Sequence, residues 1–286
     1  MTHVLRVRNV CQALPAGMSY LLEHGRREQS RAGPVIVAPS PVVTVTEWPT
    51  ERVLFSPVRD SNPFFVLYES VYLLGVWRDR PCSNIIMLRV RPPERHAGRD
   101  GEEVIEGPRL DLTVCCRSND MLFGCQHVHF SVLQEYLAAR IGVGVGEMTQ
   151  FSFNYYIYQD KLDLLRKRAE GHPYDDGVST FDWCLRDDRY VTGGGLIVAH
   201  PMFTAPDAID EDVRRFAQWH DALQTENEAS TPRYANEWFL RTLTPAMLAH
   251  QYHKEKQTTA AMSCAHTIAA PDWRVACEEW IGRRQQ

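Results

Sequence analysis

Between Leu110 and Phe130 the chain reads LDLTVCCRSNDMLFGCQHVHF, a window holding two adjacent cysteines, an Arg-Ser-x-Asp cluster, a glycine and two histidines. Such groups could serve a metal, a thiol reaction or a phosphate. A metal would draw on Cys115, Cys116, Cys125, His127 and His129, yet their spacing fits no structural zinc pattern and the chain has no CxxC pair. Strand cysteines more simply pack as small hydrophobes. Arg117 and Ser118 suit a phosphate, because a guanidinium offers a forked set of donors and the hydroxyl adds another at a strand end. An Arg117–Asp120 ion pair closing the turn explains the same residues equally well. Glu69 is a second candidate: it lies in SNPFFVLYESVYLLGVW with Phe65 and Leu73 one turn away on either side, so its carboxylate is expected to be partly buried. There it is either held by a partner such as Arg59 or Arg78, or poised as an acid or base.

Periodicity supplies the elements that must position these groups. PVIVAPSPVVTV, residues 34–45, predicts two short strands about a proline turn, preceded by an N-terminal helix. The Glu69 segment predicts a core helix with Phe64, Leu67, Tyr68, Val71 and Leu74 on one face and Ser61 or Asn62 as cap before Pro63. PCSNIIMLRVRP and RLDLTVCCRS predict strands, with PPERHAGRDGEEVIEG between them as a long exposed hairpin loop. After a turn over Arg117 to Asp120, a helix is expected from about His129, with Phe130, Leu133, Leu137 and Ile141 on one side and a glycine-rich stop. MTQFSFNYYIYQDKL predicts one strand with Ser152, Asn154, Tyr156 and Tyr158 on one face and Phe151, Phe153, Tyr155 and Ile157 on the other. Residues 200–286 are expected to be mostly helical, with YVTGGGLIVAHP as a possible strand before them. The whole predicts one α+β domain over residues 1–286, a mixed β-sheet with packed helices and a helical C-terminal part.

Composition narrows the function classes. With 286 residues, 44% of them hydrophobic, the chain can bury an ordinary core. A net charge of −5 gives no footprint for nucleic acid, so any anion site must be built locally. No stretch is apolar enough to span a bilayer and the N-terminus lacks a long apolar core, so the expectation is a cytoplasmic protein without membrane contact. Eight scattered cysteines then favour reduced thiols. Gly193 to Gly195 lack the spacing of a nucleotide-cradling loop.

RLDLTVCCRSNDMLFG, followed by FSVLQEYLAARIGV and FNYYIY, resembles the thymidylate synthase and deoxycytidylate hydroxymethylase family, particularly its phage and actinobacterial members. There a strand ends in Arg-Ser-x-Asp, a core helix follows and a later strand ends in His-x-Tyr. PTERVLFSPVRDSNPFFVLYESVYLLG resembles the entry to the family's Glu-bearing helix, and RPCSNIIMLRVR the strand carrying its nucleophile. The resemblance covers residues 30–160 and keeps the family's order. It implies a thymidylate synthase-like fold and a C5 methyl- or hydroxymethyltransferase acting on a pyrimidine nucleoside monophosphate with 5,10-methylenetetrahydrofolate. Cys82 would be the thiolate that adds to C6, a role that needs a soft, activatable sulfur. Glu69 would organise proton transfer, Arg117 and Ser118 would bind the 5′-phosphate, Asp120 would lie on the folate side and Tyr158 would hold the sugar. Arg31, in SRAGP, resembles the phosphate-binding arginine of an N-terminal loop. A homodimer joined through its sheets is implied, with a heterodimer containing an intact family member as the alternative.

The sequence also departs from the family pattern. LLGVWRDRPCS passes almost directly from helix to nucleophile strand, where the family carries a lid, a tyrosine and two phosphate arginines. Ser83 follows the nucleophile in place of His or Asn, Tyr156 stands where the sugar-binding His is expected, and Gln126 is the nearest amide to a base-reading residue. Two lost phosphate arginines remove charge-assisted bonds of about 1.5–3 kcal/mol each unless Arg78, Arg80, Arg89 or Arg91 replaces them. Two readings follow: an active transferase with a trimmed site, or a degenerate paralogue that binds nucleotide or pairs with an intact relative without turnover. Retention of Cys82, Glu69, Arg117, Ser118, Asp120 and Tyr158 in order favours the enzyme.

Overall fold

A computed structural model describes residues 2–75, 83–97, 103–123, 125–170, 188–191, 197–226 and 230–285. The fold is α+β. Strand β1 (His3–Val7) leads into α1 (Val10–His24), whose cap Asn9 accepts the amides of Cys11 and Gln12. Strands β2 (Arg26–Ser30), β3 (Gly33–Val37) and β4 (Val42–Thr46) follow. Helix α2 (Pro63–Gly75) begins where expected: Pro63 takes a position that needs no amide, and Asn62 Oδ1 accepts from Phe64 and Phe65 at 3.1 and 3.2 Å. Its buried face carries Phe64, Leu67 and Val71.

Next come β5 (Ser83–Arg91), β6 (Glu94–Ala97), β7 (Glu103–Glu106), β8 (Arg109–Cys116) and the short β9 (Asn119–Asp120). After a 3₁₀ turn over Met121–Phe123 run α3 (Cys125–Ile141), β10 (Gly144–Ser152), β11 (Tyr155–Tyr158) and α4 (Gln159–Ala169). The C-terminal part comprises α5 (Ile209–Glu226), a π-turn over Phe239–Leu243, α6 (Thr244–Lys254), α7 (Thr258–His266) and α8 (Pro271–Gly282). Among the described residues no helix is long and apolar enough to cross a membrane.

One sheet has the order β1-β4-β10-β8-β5 and a second the order β2-β3-β11-β9. The chain crosses between the two sheets directly, with no helix between, at β3 to β4, β8 to β9 and β10 to β11, and through α1 and α3 at β1 to β2 and β9 to β10. The resulting seam is stitched by backbone bonds from Ala38 N to Tyr155 O at 2.8 Å, Phe153 N to Cys116 O at 2.9 Å and Asn119 N to Asn154 O at 2.8 Å. Buried Asn119 Nδ2 adds a bond to Ser152 Oγ at 2.9 Å. Helix α1 backs the second sheet, and Gly17 makes this approach possible, because a Cβ there would lie 2.1 Å from the Tyr155 hydroxyl. Helix α3 covers the first sheet, packing Phe130 on Leu112, Val114, Cys116 and Met148.

Several expectations are corrected. The N-terminal helix is preceded by β1, whose Leu5 and Val7 are buried while Val4 and Arg6 are exposed, an alternation too short to stand out. The excursion read as a loop contains a ribbon, β6 paired with β7. Helix α3 starts at Cys125 rather than His129, and its buried positions include Gln134 and Glu135 while Ile141 is 53% exposed. Gln134 is buried because its amide donates to the carbonyls of Leu110 and Gly146, bracing the irregular pairing in β10. Glu135 is buried because Arg52 pairs with it and the Met202 amide donates to it at 2.7 Å. The strand expected over residues 148–162 is two strands in different sheets followed by α4. The sequence alternates without a break through Phe153 and Asn154, but burial changes phase there: Met148, Gln150 and Ser152 are buried before the bend and Tyr155 and Ile157 after it, so the two expected faces do not continue across it. The possible strand in YVTGGGLIVAHP is not formed by its described residues, and Gly193 to Gly195 lie outside them.

Candidate active site

The seam gathers the candidate phosphate residues with the candidate sugar residue. Strand β9 runs parallel to β11, pairing Asn119 with Tyr155 and Asp120 with Tyr156. Ser118 is thereby placed to hydrogen-bond the Tyr156 phenol, which also bonds Tyr158. The two rings meet edge to face, 5.4 Å between centroids. Burial pushes the Tyr156 pKa up to about 12; the Ser118 bond opposes that rise and Tyr158 adds to it. The phenol is therefore a neutral hydrogen-bonding group at neutral pH. Arg117 is exposed, leaving its forked donors accessible at the seam. Asp120 is half-buried, and its Oδ1 accepts the Leu122 amide at 3.1 Å, fixing the turn that leads into α3. Burial first, and the charge of Asp120 second, raise the pKa of the enclosed Tyr155 phenol.

Glu69 lies on α2 where that helix meets α3. Its side chain is 38% exposed, matching the partly buried carboxylate expected, and its Oε2 lies 3.4 Å from His129 Nε2. Arg59, one partner considered for it, donates its Nε to Leu122 O at 3.0 Å. Arg78 lies outside the described residues. His129 is the residue that sequence reasoning placed in the wrong context, as a metal-cluster member and a helix start. Had the helix been started at Cys125, helical spacing would have put His129 one turn before Val132, on the side of α3 that packs against α2. Burial drives its pKa down to about 4. The ring is only 13% exposed, and the imidazole is neutral at neutral pH.

The remaining candidates fall elsewhere. Cys82 lies outside the described residues; Ser83, the next residue, opens β5 opposite Cys116, which precedes Arg117. Gln126 belongs to the first turn of α3, and its side chain lies outside the described residues. Arg31 is at the exposed tip of the β2–β3 hairpin, just beyond Gly33, on the strand that pairs Val35 with Tyr158 and Val37 with Tyr156. Arg89 and Arg91 face Asp111 and Arg109, about 20 Å along β8 from Cys116. Arg91 is moreover committed to Asp111 at 2.7 Å and Glu94 at 3.2 Å. Neither can replace a phosphate arginine within the subunit, and Arg78 and Arg80 lie outside the described residues. Cys115 and Cys116 are successive strand residues pointing to opposite faces, Cys116 into the core, so they cannot share a metal ion. Among the described residues no group of three or more His, Cys, Asp or Glu could hold one.

No family model matches the sequence. The chain is similar to the deoxyuridylate hydroxymethyltransferase of Pseudomonas phage M6, at 30% identity over 350 aligned residues that cover 99% of this chain and 94% of that protein. The aligned span exceeds the 286 residues of this chain, so the phage protein carries segments that this chain lacks.

Proposed function

Because the chain belongs to the thymidylate synthase family and is a transferase of that type, we propose that it hydroxymethylates C5 of a deoxyuridylate-like pyrimidine nucleotide. The observation that carries this reading is the near end-to-end match to a deoxyuridylate hydroxymethyltransferase. The meeting of Arg117, Ser118, Tyr156 and Tyr158 at one seam supports it.

In the proposed mechanism Arg117 and Ser118 hold the 5′-phosphate by charge-assisted and hydroxyl bonds. Tyr158, and Tyr156 in place of a histidine, orient the sugar through their hydroxyls, that of Tyr156 as a neutral phenol. The Cys82 thiolate adds to C6, which raises electron density at C5, and leaves again once C5 carries its new substituent. Glu69, half-exposed between α2 and α3, handles the proton exchanged at C5. Gln126 is proposed to read the base edge through its amide. The one-carbon donor proposed is 5,10-methylenetetrahydrofolate, which when bound supplies a carbon at the formaldehyde oxidation level. Asp120 fits such a ligand, since a half-buried carboxylate beside the seam suits a ring rich in N–H donors. Lacking segments that the phage relative carries, the site is proposed to hold the phosphate through fewer arginines.

The partner proposed is a second copy of this chain. Val4, Val43, Phe151, Cys115 and Ile85 form one row across all five strands of the first sheet, on the face opposite α3. At the ends of this row Val4 is 56% and Ile85 54% exposed. An apolar, two-fold-compatible face of this kind suits a sheet-to-sheet interface.

The activity is tested by incubating the protein with methylenetetrahydrofolate and C5-tritiated dUMP, dCMP, UMP or CMP. We expect tritium release and a 5-hydroxymethyl product from dUMP, both lost in Cys82→Ala. No release from any of the four, with no nucleotide-induced rise in melting temperature, would overturn the reading.

A further inference from the structure

A polar contact of Glu69 on the inner side of the α2–α3 packing points to a residue with a task of its own. We propose that His129 is the positioning residue for the Glu69 carboxylate, holding it from the inner side of the α2–α3 contact through its Nε2–H. This rests on the reading of Glu69 as the proton-handling group.

Three observations support the assignment. First, the pair is arranged inside-out: the imidazole is 13% exposed and the carboxylate 38%, so the histidine stands behind the carboxylate rather than competing with it for the open side. Second, His129 Nε2 is fully buried and makes no hydrogen bond of ordinary geometry, while Glu69 Oε2 is 3.4 Å away. A buried ring nitrogen needs a partner, and a contact of this length before ligand binding is one that a small shift of α2 shortens. Third, enclosure keeps the ring neutral, so the proton it offers is an N–H that orients the carboxylate and favours its ionised form without itself being transferred.

The surrounding titratable groups have engagements of their own. Tyr68 of α2 lies against His220 of α5, with Asp221 beside it. His250 of α6 stacks on Phe64, and Glu135 of α3 pairs with Arg52. The cysteine-rich window therefore contributes to the site through a histidine of α3 that packs against α2, the helix carrying the carboxylate.

Two substitutions separate positioning from packing. His129→Leu keeps the volume and removes the donor, whereas His129→Gln retains an N–H near the Nε2 position. We expect His129→Leu to lower kcat for tritium release from dUMP by roughly tenfold or more while the KM for nucleotide stays within about twofold, and His129→Gln to recover most of the loss. A folded His129→Leu with wild-type kcat, or a His129→Gln as impaired as Leu, would refute the proposal. A second measurement is independent of turnover: ¹⁵N spectra of the His129 ring are expected to show the Nε2–H tautomer near neutral pH and to shift in Glu69→Ala. Ring resonances indifferent to Glu69→Ala would equally refute it, even where His129→Leu does not fold. If the wild-type protein releases no tritium, the functional reading fails, and the ring spectrum still decides the His129–Glu69 contact.

Discussion

Ser118 illustrates how one hydroxyl serves two neighbours at the seam. It bonds the Tyr156 phenol, and it adjoins Arg117, whose side chain is exposed. If the two residues hold the 5′-phosphate, their removal must weaken the nucleotide and spare the nucleoside. Arg117→Ala is expected to weaken dUMP binding by roughly 10- to 100-fold, the loss of a charged bond of about 1.5–3 kcal/mol, and Ser118→Ala by roughly tenfold or less. Calorimetric titration with dUMP and with deoxyuridine checks this; an equal loss for both ligands would argue against a phosphate role. Arg117 and Ser118 were legible because their signal is local, a forked cation and a hydroxyl at the end of an alternating strand. Their union with Tyr156 was not, since it arises from β9 pairing with β11 across an intervening helix and strand. The same holds for His129, whose neighbour Glu69 is supplied by another helix.

At the scale of elements, α2 is held between α3 and the C-terminal helices. Phe64 at its start is fully buried, with His250 of α6 stacked 5.1 Å away and Trp280 of α8 edge-on at 5.5 Å. Burial, reinforced by the nearby charges of Lys254, His253 and His220, lowers the pKa of His250 to about 4. In the folded chain this ring takes up its proton only near pH 4, whereas in the unfolded chain it does so near 6.5. The unfolded state thus binds more protons across that window, and stability falls as pH drops from 6.5 towards 4. His250 contributes a slope of at most about 1.4 kcal/mol per pH unit. Asp272, buried and raised to about 6, works in the opposite sense over most of that window, from about pH 6 downward. His250→Phe retains the stack and removes the titration, so its melting temperature should decline less than that of wild type between pH 6.5 and 4.5. Parallel declines would show that the His250 ring is not a source of acid sensitivity. The existence of α2 and its Asn62 cap could be read directly, being local. The buried face of α3 could not, because a helix covered on two sides buries polar residues wherever partners such as Arg52 and the β10 carbonyls await them.

For the whole molecule, the open face of the first sheet is the feature that one chain leaves incomplete. If two copies join there, Ile85→Glu and Met87→Glu place charges on the half-exposed apolar face and should convert a dimer into a monomer in light scattering. A monomeric wild type would dispose of the interface. Sequence alone determined the α+β class, the family, the strand that ends just before Arg117 and the helix that carries Glu69, since each depends on periodicity and on residues close together in the chain. Tertiary structure decided the rest. It split an apparently continuous strand between two sheets, set Arg89 and Arg91 away from the seam, and brought His129 to Glu69. These outcomes depend on which strands pair, in what register, and on which sides of a helix are covered, and a period-two or period-3.6 pattern carries no record of its eventual neighbours.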